Sequence, residues 1–343
     1  MKSLLVISGN KRPWGFLLMA ALAVGIPAFI GAGIDRFSTA TIGSMGGLVI
    51  LYMGQTAISH RMATLGACAF GFILCFSSGL ISSFNPYFSA FSLWLTALII
   101  TAICRYVALP PPGSFFFILI ACLGRTLPFD PTLAMERTAV LLLGCMGACL
   151  LALIYSFFQA CFFSRDTLLS PPPADPRIEA IFLEATVIAS FIGGSYLLAL
   201  LVELENPYWV PVSCAAILQG ASFRDTWHRN VHRILGTIIG MGLAWIIFSF
   251  SPGVWELALL ITLLSFIIEI LITRNYGLAV IFITPLTILF AEASSAIAST
   301  NQLIVSRLLD IVLGSSIGYL GGWLIHHPRG FSRLEQWLAR LRH

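Results

Sequence analysis

Titratable side chains are concentrated in one short stretch of an otherwise apolar chain. Between Arg224 and Arg233 the sequence RDTWHRNVHR holds three arginines, an aspartate and two histidines, whereas 10% of the 343 residues are charged and 58% are hydrophobic. At helical spacing, Asp225 and Arg229 are ion-pair partners, and Arg229 and Arg233 share one face. Such a cluster would attract anions, and part of it also serves as the positive charge that orients membrane segments.

The two histidines of this stretch have the spacing of a metal-binding helix face. His228 and His232 form HxxxH, which a membrane enzyme could use to hold a metal. Membrane diiron enzymes need several histidine boxes, however, and the chain has 6 histidines in all. Its 8 cysteines are scattered and form no CxxC pair. We therefore predict no metal, no cofactor and no enzymatic activity.

Two further arginines lie inside apolar segments. Arg137 and Arg307 come into register when the sequence is compared with itself at one fixed offset. A charge inside a bilayer costs about 3 kcal/mol or more and is usually functional or paired. We predict that the two arginines attract an organic anion; the alternative is that each pairs with its neighbouring carboxylate, Glu136 or Asp310. Asp310 and Glu269 are candidates for proton coupling, because a carboxylate in a dry setting can exchange protons in the physiological range.

Membrane-spanning segments must position these charged side chains. Apolar runs long enough to cross a bilayer recur along the chain, and they predict an all-α, polytopic membrane protein with about twelve transmembrane helices. Because the N-terminal apolar run is longer than a signal-peptide core, we expect a retained first helix. We place the first six segments near 14–33, 38–57, 63–81, 87–104, 114–127 and 135–159. The second six lie near 180–202, 208–223, 233–250, 254–272, 276–291 and 304–325.

The two sets of six segments form an internal repeat. Several residue pairs share the same offset: Arg137 and Arg307, Gly144 and Gly314, Gly66 and Gly236, Tyr106 and Tyr276, Asp35 and Glu205. Since six is an even number, the two repeats should be parallel. The predicted domains are a first repeat over 1–160, a cytoplasmic Pro-rich linker over 161–179, a second repeat over 180–326 and an interfacial amphipathic helix over 327–343.

The basic residues predict the orientation. With the N-terminus inside, all but four of the 19 Lys and Arg lie on the cytoplasmic side, the exceptions being Arg36, Arg125, Arg137 and Arg307. The positive-inside rule therefore favours a multi-pass protein with both termini in the cytoplasm.

The fifth segment of each repeat does not span cleanly. The first, LPPPGSFFFILIACLGR, leaves about a dozen apolar residues, short of the ~20 that a straight span needs. The second carries Pro285 in its middle, so we expect these helices to be broken or kinked. Interrupted segments at corresponding places in two repeats indicate a transporter's substrate site, although ordinary kinks absorbed by packing are the alternative. Gln219, at the inner end of YWVPVSCAAILQG, joins this predicted site.

The run NPYWVPVSCAAILQGASFRDTWHRNVHRILGTIIG carries a family resemblance. A Tyr–Trp pair, Tyr208 and Trp209, opens one helix; a short basic loop follows, and Arg-x-x-Gly-Thr, beginning at Arg233, opens the next helix. This pattern resembles the signature of the fusaric acid resistance-like family, which includes aromatic acid exporters. The first half resembles the same unit more faintly through QTAISHRMATLG.

The resemblance implies an exporter of small organic, including aromatic, acids that lies in the inner membrane of a bacterium and is driven by the proton gradient. Tyr208 and Trp209 would then belong to the substrate site, and the loop from Arg224 to Arg233, ordered by Asp225, would form the cytoplasmic entrance. A passive organic-anion channel is the first alternative, because plant aluminium-activated malate channels look distantly related. A non-transporting membrane scaffold is the second. The expected partners are the bilayer and an organic anion, with a periplasmic adaptor protein or a homodimer left open and no nucleic acid.

Overall fold

The computed structural model describes residues 12–162, 177–220, 222–292 and 300–326, which form twelve α-helices and no strand. The predicted C-terminal amphipathic helix and most of the predicted linker lie outside these residues. The helices are α1 (Trp14–Gly33), α2 (Phe37–Gly47, continued by a 3-10 helix, Leu48–Tyr52), α3 (Ile58–Ser82), α4 (Pro86–Tyr106), α5 (Phe115–Gly124), α6 (Pro131–Phe162), α7 (Ile178–Leu201), α8 (Trp209–Leu218), α9 (Phe223–Ser249), α10 (Val254–Ile272), α11 (Tyr276–Glu292) and α12 (Thr300–His326).

Eight of these helices are long and apolar enough to cross a bilayer: α1, α3, α4, α6, α7, α9, α10 and α12. The other four are shorter, and they are the second and fifth helices of each repeat. With 10 residues each, α5 and α8 are only about 15 Å long, which is half the thickness of the hydrocarbon core. The chain is a polytopic, all-α membrane protein, as its hydropathy pattern predicts.

The helices form two compact units, and each unit combines elements of both repeats. Unit 1 holds α1, α2, residues 58–74 of α3, α6, residues 235–249 of α9, α10 and α11. Unit 2 holds residues 75–82 of α3, α4, α5, α7, α8, residues 223–234 of α9, and α12 from residue 305. The boundaries at 160 and 180 stay a prediction about the repeats, because the compact units follow a different division.

The same helix pairs recur in both units. In unit 1, α1 packs against α2 and α10, and α11 packs against α10 and α2. In unit 2, α7 packs against α8 and α4, and α5 packs against α4 and α8. The first helix of one repeat is therefore packed, in each unit, against the fourth helix of the other repeat.

Small residues bring helix backbones into direct contact inside each unit. In unit 1, Gly144 of α6 faces Gly43 of α2, and a Cβ added to Gly144 would lie 2.0 Å from the Gly43 carbonyl oxygen. In unit 2, Gly314 of α12 faces Val210 and Ser213 of α8, and an added Cβ would lie 2.2 Å from the Val210 carbonyl oxygen. Gly144 and Gly314 correspond in the repeat, as do Gly43 and Ser213. Small residues at such crossings let membrane helices approach closely.

The two fifth helices differ from each other. The helix α5 is short, as expected. The helix α11 continues through Pro285, so it is not broken there, and the kink stays a prediction. Proline removes the donor for the Ile281 carbonyl, and that carbonyl lies against Gly240 of α9, 2.6 Å from where a Cβ would be. Membrane helices tolerate proline when neighbouring helices and hydroxyl side chains surround the freed backbone.

Candidate functional site

Unit 2 contains a cavity of about 230 Å³ at the end where α4 stops and α5 begins. Its walls come from α4, α5, α7 and the last turn of α8. Polar groups of Arg105, Ser114 and Gln219 line it together with apolar side chains such as Ile118 and Leu218. The combination of apolar walls and a few polar groups is typical of small-molecule sites.

The Pro-rich segment between α4 and α5 explains why this space exists. Three prolines, Pro110 to Pro112, cannot extend a helix, because they lack the backbone N–H and clash with the preceding turn. Gly113 follows in the left-handed region with a φ of +54°, which favours glycine. Gly113 and Ser114 line the cavity, so the positive end of the α5 helix dipole lies at its wall.

A salt bridge holds one cationic group at the cavity. Arg105 of α4 donates from Nη2 to Oε1 of Glu184 in α7 over 2.6 Å, and both side chains keep some exposure. A guanidinium has five N–H donors, so one bond to Glu184 leaves others able to bind a carboxylate. A salt bridge also links the corresponding helices of unit 1, between Arg12 just before α1 and Glu269 of α10. The arginine and the glutamate have exchanged places relative to unit 2.

At the other end of α8, a buried arginine lies on an aromatic ring. Arg307 of α12 is 3% exposed, and its guanidinium carbon is 3.9 Å from the centroid of the Trp209 ring, a cation–π contact. Tyr208 packs beside Trp209 with ring centroids 5.1 Å apart. Asp310 follows one turn after Arg307, is fully buried, and has no hydrogen-bond partner at either carboxylate oxygen. Such a carboxylate is costly to keep charged.

Residues 224–233 form the first turns of α9, so the predicted loop is wrong. Ser222 and Asp225 cap the start of this helix by two hydrogen bonds to each other. The Asp225 backbone N–H donates to Ser222 Oγ over 3.2 Å, and Ser222 Oγ donates to Asp225 Oδ2 over 2.7 Å. A hydroxyl residue followed three positions later by an acidic residue is a helix-start signal. The sequence SFRD contained that signal.

The four predicted entrance residues lie in two different environments. Arg224 and Asp225 are exposed at the start of α9. Arg229 and Arg233 instead contact α8: Arg229 Nη1 donates to the carbonyl oxygen of Ala216 over 3.4 Å, and Arg233 Nη2 donates to Ser213 Oγ over 3.3 Å. Arg233 is 6% exposed, and its Nε has no hydrogen-bond partner.

Arg137, the counterpart of Arg307 in unit 1, is less buried than Arg307. It is half-buried near the start of α6, where Asp130 accepts hydrogen bonds from Thr132 and Leu133. These hydrogen bonds and, to a smaller extent, the Arg137 charge hold the pKa of Asp130 below its ordinary value. The neighbouring Glu136 pairs with Arg36 over 2.9 Å.

The structure thus places the predicted substrate-binding and proton-coupling residues in separate parts of the molecule, apart from the entrance residues of α9. Gln219 lines the cavity, Tyr208 and Trp209 lie with Arg307 and Asp310 at the opposite end of α8, and Arg137, Glu269 and Pro285 belong to unit 1. Their roles stay predictions. Sequence reasoning missed Arg105 and Ser114, whose signal was their position on either side of the proline run. Among the described residues, no three His, Cys, Asp or Glu side chains gather as a metal site would need.

Part of this polytopic helical chain is similar to a known protein family. Residues 192–321, which include α8, α9, Arg307 and Asp310, match the family model described as fusaric acid resistance protein-like. This match confirms, over that segment, the resemblance noted in the sequence.

The chain is also similar to a curated protein of Bacillus subtilis (strain 168) named uncharacterized membrane protein YvaC. The two are 37% identical over 138 residues, which is 40% of this chain and 22% of that protein. The chain therefore spans about a fifth of the length of the curated relative it matches. No solved structure matches the chain.

Proposed function

We propose that the protein transports small organic anions, including aromatic carboxylates, across the inner membrane of a bacterium. The observation that carries this proposal is the cavity of unit 2. Arg105 and the start of α5 supply positive charge, Gln219 supplies an amide, and Ile118 and Leu218 supply apolar contact. Its volume of about 230 Å³ is below the range of about 300–1,000 Å³ of drug-sized pockets, which favours a small acid.

The two half-length helices at the cavity support the same proposal. Helix ends at membrane depth are where transporters bind charged substrates, because the dipole ends and unbonded backbone groups are available there. The cavity lies between the start of α5 and the end of α8. The family description names resistance to fusaric acid, an organic acid, which agrees with an anionic substrate.

We further propose export coupled to protons, with both termini in the cytoplasm. In that orientation α4 ends and α5 begins on the cytoplasmic side, so the cavity would collect its substrate from inside the cell. Asp310 is the better supported of the two coupling candidates, because it is fully buried and its carboxylate accepts no hydrogen bond. Glu269 is already bonded to Arg12.

A binding experiment tests the site. Detergent-solubilised protein should gain thermal stability with benzoate and none with uncharged benzamide. Replacing Gln219 by Ala removes one neutral hydrogen bond, worth about 1 kcal/mol, and should weaken benzoate binding roughly fivefold. Gln55→Ala, an exposed position in unit 1, is the matched control and should bind like the wild type. Unchanged affinity in Gln219→Ala would contradict the assignment of the cavity.

Flux into proteoliposomes tests the mechanism. A proton-coupled carrier should move benzoate faster when a pH gradient is imposed, and Asp310→Asn should remove that dependence. Flux that is independent of the pH gradient would instead identify a passive channel. If no carboxylate binds and no flux is seen, the proposed transport is wrong and a non-transporting membrane scaffold is the remaining interpretation.

A further inference from the structure

Three arginines of unit 2 contact α8 at successive turns. The Arg307 guanidinium lies over the Trp209 ring at 3.9 Å, and the two α9 arginines bond to α8 farther along, Arg233 at Ser213 and Arg229 at Ala216. The contacted positions are spaced i, i+4 and i+7, so they share one face of α8. At 1.5 Å per residue, neighbouring positions are about 4.5–6 Å apart along the helix. We call these three arginines the arginine file.

The middle member of the file is incompletely bonded in a buried place. Arg233 is 6% exposed, donates to Ser213 over 3.3 Å, and leaves its Nε without a hydrogen-bond partner. No described carboxylate lies within ion-pair distance of it. A buried charge without a counter-charge is strongly unfavourable, and an anion placed beside the guanidinium would relieve that cost.

One end of the file contacts the turn of α8 that carries cavity-lining residues. Arg229 bonds to the carbonyl oxygen of Ala216, and the adjacent residues Ala215 and Leu218 line the cavity in the same turn of α8. The other end lies at Trp209, where α8 begins. The file therefore follows α8 from the turn next to the cavity to the opposite end of this half-length helix.

Two of the three charges have no counterpart in unit 1, whereas Arg307 corresponds to Arg137. In the repeat register, Arg229 and Arg233 correspond to Ser59 and Ala63 of α3, which cannot supply a positive charge. Arg61, the buried arginine of that part of α3, bonds to Ser156 and Gln159 of α6. Unit 1 therefore has no positive charge at the positions that correspond to Arg229 and Arg233.

We propose that the arginine file is a second set of anion-binding positions, along which a carboxylate passes between the cavity and the start of α8. The proposal rests on the transport proposed above and adds its path. Several weak sites in series suit permeation, because each must bind the anion without retaining it. Each position offers one guanidinium, whereas the cavity combines several polar groups with apolar walls, so binding at the file should be weaker than in the cavity.

Arg233 is the position to change, because it is the middle step and lies outside the cavity. Arg233→Gln removes the charge, and Arg233→Lys keeps it; size-exclusion chromatography reports whether each variant folds. Since a bond to a charged group contributes about 1.5–3 kcal/mol, the Gln variant should reduce maximal benzoate flux by about tenfold or more. The Lys variant should keep most of the flux. Arg36→Gln, an exposed change of the same charge, should transport like the wild type.

Calorimetric titration with benzoate gives a readout that needs no transport. The wild type should bind in two phases, a tighter one in the cavity and a weaker one on the file. Arg233→Gln should lose the weaker phase and change the affinity of the tighter one by less than about twofold, since Arg233 does not line the cavity.

Two outcomes would contradict the proposal that the arginine file binds the anion. One is a folded Arg233→Gln protein with unchanged flux and unchanged titration; the other is an equal loss of cavity affinity and flux, which would place Arg233 in the cavity site. A wild-type protein with two binding phases and no flux would support the file as a binding surface while refuting transport.

Discussion

The contact between Arg307 and Trp209 predicts a measurable coupling energy that is independent of any transport activity. The guanidinium carbon lies 3.9 Å from the ring centroid, and the residues are 3% and 2% exposed, so water does not screen the interaction. A desolvated cation–π contact contributes about 2 kcal/mol or more. Two kcal/mol corresponds to a change of roughly 30-fold in the folding equilibrium.

A double-mutant cycle isolates this quantity from the other costs of each change. Trp209→Leu also loses packing, and Arg307→Met also leaves Asp310 without the nearby positive charge, so both single variants should be clearly destabilised. The double variant should cost about 2 kcal/mol less than the sum of the single costs. Equilibrium unfolding of the four proteins in mixed micelles measures all the terms.

Two control variants test whether the coupling energy depends on the aromatic ring and on the burial of the arginine. Trp209→Phe keeps an aromatic face and should retain part of the coupling. Arg137→Met, at the corresponding half-buried position of the other repeat, should cost less than about 1 kcal/mol. If the single costs of Trp209→Leu and Arg307→Met add within about 0.5 kcal/mol, the ring does not stabilise the guanidinium and the reasoning is refuted.

Two further predictions concern the start of α9 and the glycine contacts. Asp225→Ala should cost about 1 kcal/mol and accelerate hydrogen exchange in the first turn of α9, because Ser222 loses its reciprocal partner; unchanged exchange would contradict the cap. Gly144→Ala and Gly314→Ala should each cost about 1–3 kcal/mol in thermal unfolding, because the new Cβ would lie within 2.2 Å of a carbonyl oxygen. Gly147→Ala, which faces open space, should stay near the wild type, and equal effects at all three glycines would count against the close contacts.

Hydropathy predicted most helices well because the bilayer imposes its own length on an apolar segment. The predicted segments 14–33 and 254–272 have the bounds of α1 and α10. The start of α9 was misplaced, because arginines and histidines in a row favour a loop when only polarity is considered. In the folded chain Arg233 is buried against α8, and Phe223 already belongs to the helix.

The choice of helix partners could not be predicted from the sequence. Hydropathy determines which segments enter a membrane, but their neighbours depend on surface shape, as where Gly193 of α7 meets the side chain of Trp94 in α4. Arg105 was missed for a related reason. A basic residue at the end of a span is expected to orient the helix, whereas its bond to Glu184, 79 residues away, depends on the packing of α4 with α7.

The exchange of helices between the repeats has a consequence for biosynthesis. During translation, α4 and α5 enter the bilayer before α7 and α8 have been made, and α1 enters long before α10. Their contact faces must therefore meet lipid or the insertion machinery until the second half of the chain emerges. A six-helix ancestor would have had to borrow the missing helices from a second molecule, so gene fusion would have made permanent an assembly that began as two chains.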